Sequence, residues 1–415
     1  MLSLPIATIA FLAFMPTIQT IQADDPASSN RPVAVSDFTP HPQVKLTRTG
    51  IERAKFSVVD VHCHFYNRLK HDPESLRLYL EAMDRNNIAI SISLDGTLGP
   101  RLDTHLAYLQ SASKDRFVVF ANIDWEGRDE TSDVSKEDNP STSPSFLPAF
   151  EKPDFAQTTI EQLRLAKSKG VSGLKIFKQL GLTYRHADGT FVAIDDLRWD
   201  PIWEACGRLG FPVIMHTADP NAFFQPIDAT NERYEELSRR PQWSFYNRGT
   251  PTRSQLHEAR NRVIARHPQT TFIAAHFGND AEDLEETAAW LDKYPNLVVE
   301  FASRISELGR QPRAAREFFE RFQDRIFFGT DGPFPEERLR AYWRFLETPD
   351  EYFPYSEKSP PPQGLWNISG IQLPDEILRK VYYENASRII PNVREKLLSF
   401  RASRDISAEP SGTDK

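Results

Sequence analysis

The chain has 415 residues, about 40% of them apolar, and a formal net charge of −8 with acidic and basic side chains mixed along its length. That is enough apolar material for one large elaborated domain, and the lack of any polybasic stripe argues against a nucleic-acid partner. Two cysteines, Cys63 and Cys206, exclude a disulfide framework and an all-cysteine zinc site.

In chain order, Leu4 to Ile18 is mostly apolar, broken by Thr and Pro. It is short for a membrane span, which needs about 20 residues. It fits the h-region of a signal peptide cleaved after Ala23, although no Lys or Arg precedes it. Residues 1–23 are therefore expected to direct export to the periplasm or the exterior, leaving no membrane attachment after cleavage; an uncleaved anchor is the alternative. Residues 24–55 are polar and Pro-rich and read as a flexible linker.

Eight short apolar runs follow: SVVDVHCHF (57–65), IAISISLDG (88–96), FVVFANIDW (117–125), VSGLKIFK (171–178), PVIMHTAD (212–219), TFIAAHFG (271–278), LVVEFASR (297–304) and IFFGTDGP (326–333). Apolar character on both faces suits parallel strands covered on both sides. Between them lie helix-periodic segments such as PESLRLYLEAMDRNN and SQLHEARNRVIARHP. Eightfold alternation predicts an α/β fold, a (β/α)8 TIM barrel over 56–391. An open doubly wound sheet would need a Gly-rich phosphate turn or a switch point, and neither is visible. Helix-to-strand connections are short, whereas 126–153 and 219–251 are long strand-to-helix loops on the face where barrels keep their sites. A further helix is expected at 374–391, and 392–415 reads as a C-terminal tail, polar from about Ser403.

Of ten histidines, four fall at predicted strand ends: His62 and His64 on the first, His216 on the fifth and His276 on the sixth; the eighth ends in Gly329-Thr330-Asp331-Gly332. Strand period two puts His62 and His64 on one side, with Asp60 on that side deeper in the barrel and Cys63 facing the helices. Two such imidazoles, a third from across the mouth and a carboxylate suit zinc or a similar divalent ion with an open position. A lone strand-end histidine is more often a satisfied polar residue; the joint placement carries the functional reading.

These motifs resemble the amidohydrolase superfamily, closest to the amidohydrolase-related branch that includes aminocarboxymuconate-semialdehyde decarboxylase and its hydratase and lactonase relatives. The similarity rests on VVDVHCHF, HTADP, AAHFGN, FGTDGPF and YYENASRII, across roughly 57–390. It implies that His62, His64, His216 and Asp331 hold the metal and that His276 acts as acid/base or electrophile beside it, with Asp331 also shuttling a proton. One Zn2+ is expected, with Mn2+ or a binuclear site as alternatives. In binuclear relatives a fourth-strand lysine is carbamylated and bridges two metals. Lys175 is the candidate for that bridge or for a substrate contact, Lys178 its substitute if the register slips, and an ion pair of Lys175 with Glu300 the plain alternative.

Arg304 is a candidate for holding a substrate carboxylate. Phe223, Phe224 and Trp243 in the long fifth loop, and Trp125 after the third strand, are candidates for an apolar lid. The leading expectation is a hydrolase in which metal-activated water attacks an ester, lactone or amide of a small organic acid. The same ligands serve non-oxidative decarboxylation of an aromatic or unsaturated acid, the runner-up; an exported metal-containing binding protein is the third reading. The partner expected is a small molecule, and a homodimer is compatible with the sequence.

Overall fold

The computed structural model describes residues 34, 38, 43–127 and 147–408, with side chains to 404. The expected leader at 1–23, most of the 24–55 linker, the middle of the 126–153 loop and residues 409–415 lie outside the described residues. Residues 46–415 form one compact unit, distinct from 1–45, and every strand and helix named below belongs to it.

Eight parallel strands pair in sequence order: β1 (Val58–Cys63), β2 (Ile88–Thr97), β3 (Phe117–Asn122), β4 (Gly173–Ile176), β5 (Val213–Met215), β6 (Phe272–Ala274), β7 (Leu297–Glu300) and β8 (Ile326–Phe327). The last meets the first through Val61 N–H to the Phe328 carbonyl at 3.0 Å and Asp331 N–H to the His62 carbonyl at 2.8 Å. The result is a nearly closed (β/α)8 barrel. Val59, Ile90, Val118, Ile214, Ile273 and Phe327 belong to the cluster that fills it. Val58, Cys63, Ile88 and Val119 face the helical layer. The two-sided apolar runs follow from this double burial.

The helices start and stop on local chemistry. Asp72 caps Pro73–Arg85 by accepting from Ser75 N–H at 2.8 Å, with Pro at the first turn. Thr252 and Gln255 form a reciprocal capping box on Arg253–Arg266. Gly210, at φ 67°, closes Asp200–Leu209 in the left-handed conformation that glycine adopts without penalty. Among the described residues no helix is long and apolar enough to cross a membrane.

Two expectations are corrected. The tail from 392 is a helix, Val393–Ala408, and its Leu397 and Phe400 join the barrel-interior cluster. It lies across the N-terminal ends of the strands, where Asn392 donates to the Gly170 carbonyl at 3.3 Å and to Ser172 Oγ at 2.9 Å. Burying a Phe of that size contributes roughly 2–3 kcal/mol, which is why a segment of polar average composition folds. The second correction is Asp60. Strand register shifts between Asp60 and Cys63, so alternation breaks there. Val59 and Val61 point into the barrel, and the Asp60 carboxylate, instead of joining the histidine side chains, accepts from Thr330 N–H at 3.0 Å, from Thr330 Oγ1 at 2.6 Å and from His62 backbone N–H at 3.1 Å. An irregularity at this point re-aims His62 toward the mouth.

Candidate metal centre

The site stands where the strands stop. Except for β2, the strands are shorter than their apolar runs, and at β6 and β8 the last residues of the run leave the ladder to present side chains: β6 ends at Ala274 and β8 at Phe327, so His276 and Asp331 lie beyond them. Several of these residues are left-handed without being glycine: Ala218 at φ 60°, His276 at 55°, Phe277 at 60°, Asn279 at 56°, Ser303 at 57° and Asp331 at 71°. Such conformations cost roughly 1–2 kcal/mol each and concentrate at functional sites.

His62 is fully buried, and its Nδ1 lies 2.8 Å from Glu300 Oε1. His64 Nδ1 lies 2.8 Å from Asp95 Oδ1. Each carboxylate can only accept, so each histidine carries its proton on Nδ1 and turns a lone pair outward from Nε2. Those two Nε2 atoms face each other at 3.1 Å. Asp331 Oδ1 sits 3.7 Å from the first and 3.5 Å from the second. Three acceptors therefore meet with no donor among them, and a divalent cation satisfies that arrangement. Burial also holds His62 well below the usual histidine range, with Lys175 adding to the effect, and a neutral imidazole is the ligating form. Burial pushes the Asp331 carboxyl up, but His62, His64 and Arg68 more than offset it and the net shift is downward.

Glu300 is the hub beneath. Oε1 accepts from His62 and from His276 N–H at 2.7 Å, and Oε2 from Ala302 N–H at 2.6 Å. Gly329 of the neighbouring segment has no room for a side chain, since a Cβ there would lie 2.7 Å from Glu300 Oε2. His276 donates from Nδ1 to the Ala302 carbonyl at 2.9 Å and lines the mouth. Burial, then His216 and His62, hold it well below its ordinary range.

His216 stands one ring further out. The His62 and His276 centroids are 4.6 Å apart and those of His216 and His276 4.5 Å. His216 Nε2 faces Asp219 Oδ1 at 3.4 Å, and Asp219 Oδ2 accepts from Lys178 Nζ at 2.6 Å. The structure thus brings His62, His64 and Asp331 together and sets His276 and His216 beside them in a row.

The ion pair considered for Lys175 does not form. Glu300 is fully engaged elsewhere, and Lys175 Nζ is buried with no hydrogen-bond partner, 5.3 Å from the Phe177 ring. Burial lowers it to about 8, with Glu300, Asp331 and Asp95 opposing. Arg304 lines the mouth, donates to Asn279 and to the Ser303 carbonyl at 2.9 Å, and leaves Nε unpartnered. Phe223 and Trp243 line the mouth as well. Phe224 does not; it stacks on Phe245 at 5.1 Å. Trp125 packs into an aromatic cluster with Phe155 and Trp199 away from the site.

Sequence reasoning missed Asp95, Asp219, Ser303 and Arg68. Ser303 Oγ lies 3.3 Å and Arg68 Nη2 3.6 Å from Asp331 Oδ2. Asp95 carried a legible signal, a carboxylate near the end of an apolar strand; Asp219 and Ser303 lie in loops and Arg68 in the short helix Phe65–Leu69, and no spacing reveals their approach to the site.

A family model described as amidohydrolase matches residues 59–391. No curated protein matches the chain. Among solved structures, the chain is similar to an uncharacterised TIM-barrel protein from Bordetella bronchiseptica, with 14% identity, 82% of this chain and 99% of that one covered and a TM-score of 0.46. It is similar to 2,6-dihydroxybenzoate decarboxylase from Rhizobium at 17% identity, 80% and 98% coverage and TM-score 0.45. It is also similar to 4-oxalomesaconate hydratase from Rhodopseudomonas palustris at 11% identity, 84% and 99% coverage and TM-score 0.44.

Proposed function

The chain belongs to the amidohydrolase family, and from that premise we propose that it is a metal-dependent hydrolase acting on an ester, lactone or amide bond of a small organic acid. The observation that carries the proposal is the meeting of His62 Nε2, His64 Nε2 and Asp331 Oδ1 within 3.7 Å with no donor among them. In this reading His62, His64 and Asp331 hold one Zn2+, and His216 completes the set once its ring turns from Asp219. A bound divalent ion supplies a Lewis acid for a carbonyl oxygen and lowers the pKa of water it holds.

The chain's own groups do the rest. Glu300 and Asp95 fix the tautomers of His62 and His64. His276, neutral and with its Nδ1 proton committed to Ala302, offers Nε2 to the substrate as hydrogen-bond acceptor or proton carrier. Asp331 keeps Oδ2 toward Ser303 and Arg68, where it can receive a proton from the nucleophile. Arg304 and Lys175 supply positive charge for the substrate's acid group, and Phe223 with Trp243 gives it an apolar wall.

One observation favours the runner-up, decarboxylation of an aromatic or unsaturated acid. The buried, unpartnered Lys175 needs an acceptor, and a substrate carboxylate delivered beside the metal would be one. A screen of zinc-loaded protein against lactones, amides and aromatic acids, reading acid release and CO2 release together, decides between the two. Acid release without CO2 supports the hydrolase, CO2 alone overturns it in favour of the lyase, and turnover by metal-free protein sinks both.

A further inference from the structure

We infer that Asn279 is a positioning residue whose carboxamide clamps together the three strand ends carrying His216, His276 and Arg304. The inference rests on the metal-centre reading for its functional consequence, and on geometry alone for the clamp. Asn279 is fully buried. Its Nδ2 donates to the Thr217 and Ala218 carbonyls, each at 3.0 Å, and these two residues directly follow His216. Its Oδ1 accepts from Arg304, four residues beyond β7. Its own backbone closes the run of left-handed residues 276–279 that begins with His276.

The residue type is dictated by this job. The position needs two donors and one acceptor on a short side chain, in a left-handed conformation that Asn tolerates better than other non-glycine residues. Aspartate would set a carboxylate oxygen against two carbonyls. Glycine would keep the backbone and lose all three links. The turn is also held from behind, where Arg260 donates to the Gly278 carbonyl at 3.1 Å and Arg253 to the Asn279 carbonyl at 2.6 Å. Those bonds, with the His276 bonds to Glu300 and the Ala302 carbonyl, fix where the turn sits. The Asn279 side chain adds the links to the residues that follow His216 and to the Arg304 guanidinium.

The test compares Asn279→Asp and Asn279→Gly with a control at the opposite end of the barrel. Asn392 is also left-handed, at φ 67°, and also ties two segments together. Zinc affinity is read by chelator competition, and the ring signals of His216 and His276 by NMR of metal-free protein. Both Asn279 variants should bind zinc about 10- to 100-fold more weakly and shift those ring signals. Asn392→Gly should lower the melting temperature and leave both readouts unchanged. Asn279→Asp keeps the volume and the Arg304 partner, so it folds even where the glycine variant does not. Wild-type zinc affinity with unmoved ring signals in Asn279→Asp overturns the clamp. If the wild type itself binds no zinc, the metal reading fails, and the ring signals alone decide whether Asn279 holds the two histidines.

Discussion

The two ends of the barrel obey different rules. At the end where helices return to strands, connections are short and the left-handed positions are filled by residues suited to them: Gly170, Gly210, Asn87 and Asn392. The C-terminal helix covers this end with Leu397 and Phe400, and Arg116 covers Phe400 in turn, 4.6 Å from its ring. At the other end Ala218, His276, Phe277, Ser303 and Asp331 are left-handed with a side chain in place, and Lys175 and Arg304 keep buried nitrogens without partners. One end is built for stability and follows local propensity. The other violates propensity repeatedly around one cluster, and such conflicts are expected where a fold has been shaped for chemistry.

The contrast can be broken most sharply at the mouth. His62→Ala and Asp331→Ala should each lose the bound metal, taking content by elemental analysis from about one equivalent to near zero, with activity lost in parallel. His276→Ala should keep the metal and lose activity by about 10²- to 10⁴-fold; a fully active variant would remove His276 from the proposed mechanism.

Effects at the closed end should be confined to stability. Phe400→Ala deletes a buried ring and should destabilise the fold by about 3–5 kcal/mol in urea titration without changing metal affinity. A change in affinity would show that the two ends are not separable.

Lys175 tests the cost of the mouth's unsatisfied groups. Its folded pKa is lowered to about 8 from 10.5. Between those values the unfolded chain holds the proton and the folded chain does not, so stability rises with pH across that window. The gain is up to about 3 kcal/mol in metal-free protein, and Lys175→Met should show none of this slope. An equal slope in the variant would mean that Lys175 is solvated or paired in solution.

The barrel and its strand-end histidines are legible in the sequence for a physical reason. Parallel strands buried on both faces must be apolar throughout, so eight such runs separated by helical period leave little choice of fold. Position along a strand fixes which end of a barrel a residue occupies, and that places the histidines at one mouth. What eludes the sequence depends on contacts between distant residues or on broken alternation. Asp60 falls on the histidine face only if period two runs unbroken through β1, and a register shift breaks it. Glu300 is a reasonable partner for Lys175 by strand position, but its oxygens go to His62, 238 positions away in the chain, and to two backbone N–H groups. The helix from Val393 reads as tail because its apolar side chains are few, and their value appears only when the barrel floor is there to receive them.

Zinc titration of the metal-stripped wild type, beside the His62→Ala/His64→Ala double variant, asks most directly whether His62, His64 and Asp331 form a divalent-metal site. About one tight equivalent is expected for the wild type and none for the variant, with both proteins folded. Equal binding by the two, or full activity of the wild type with no metal bound, would contradict the metal centre.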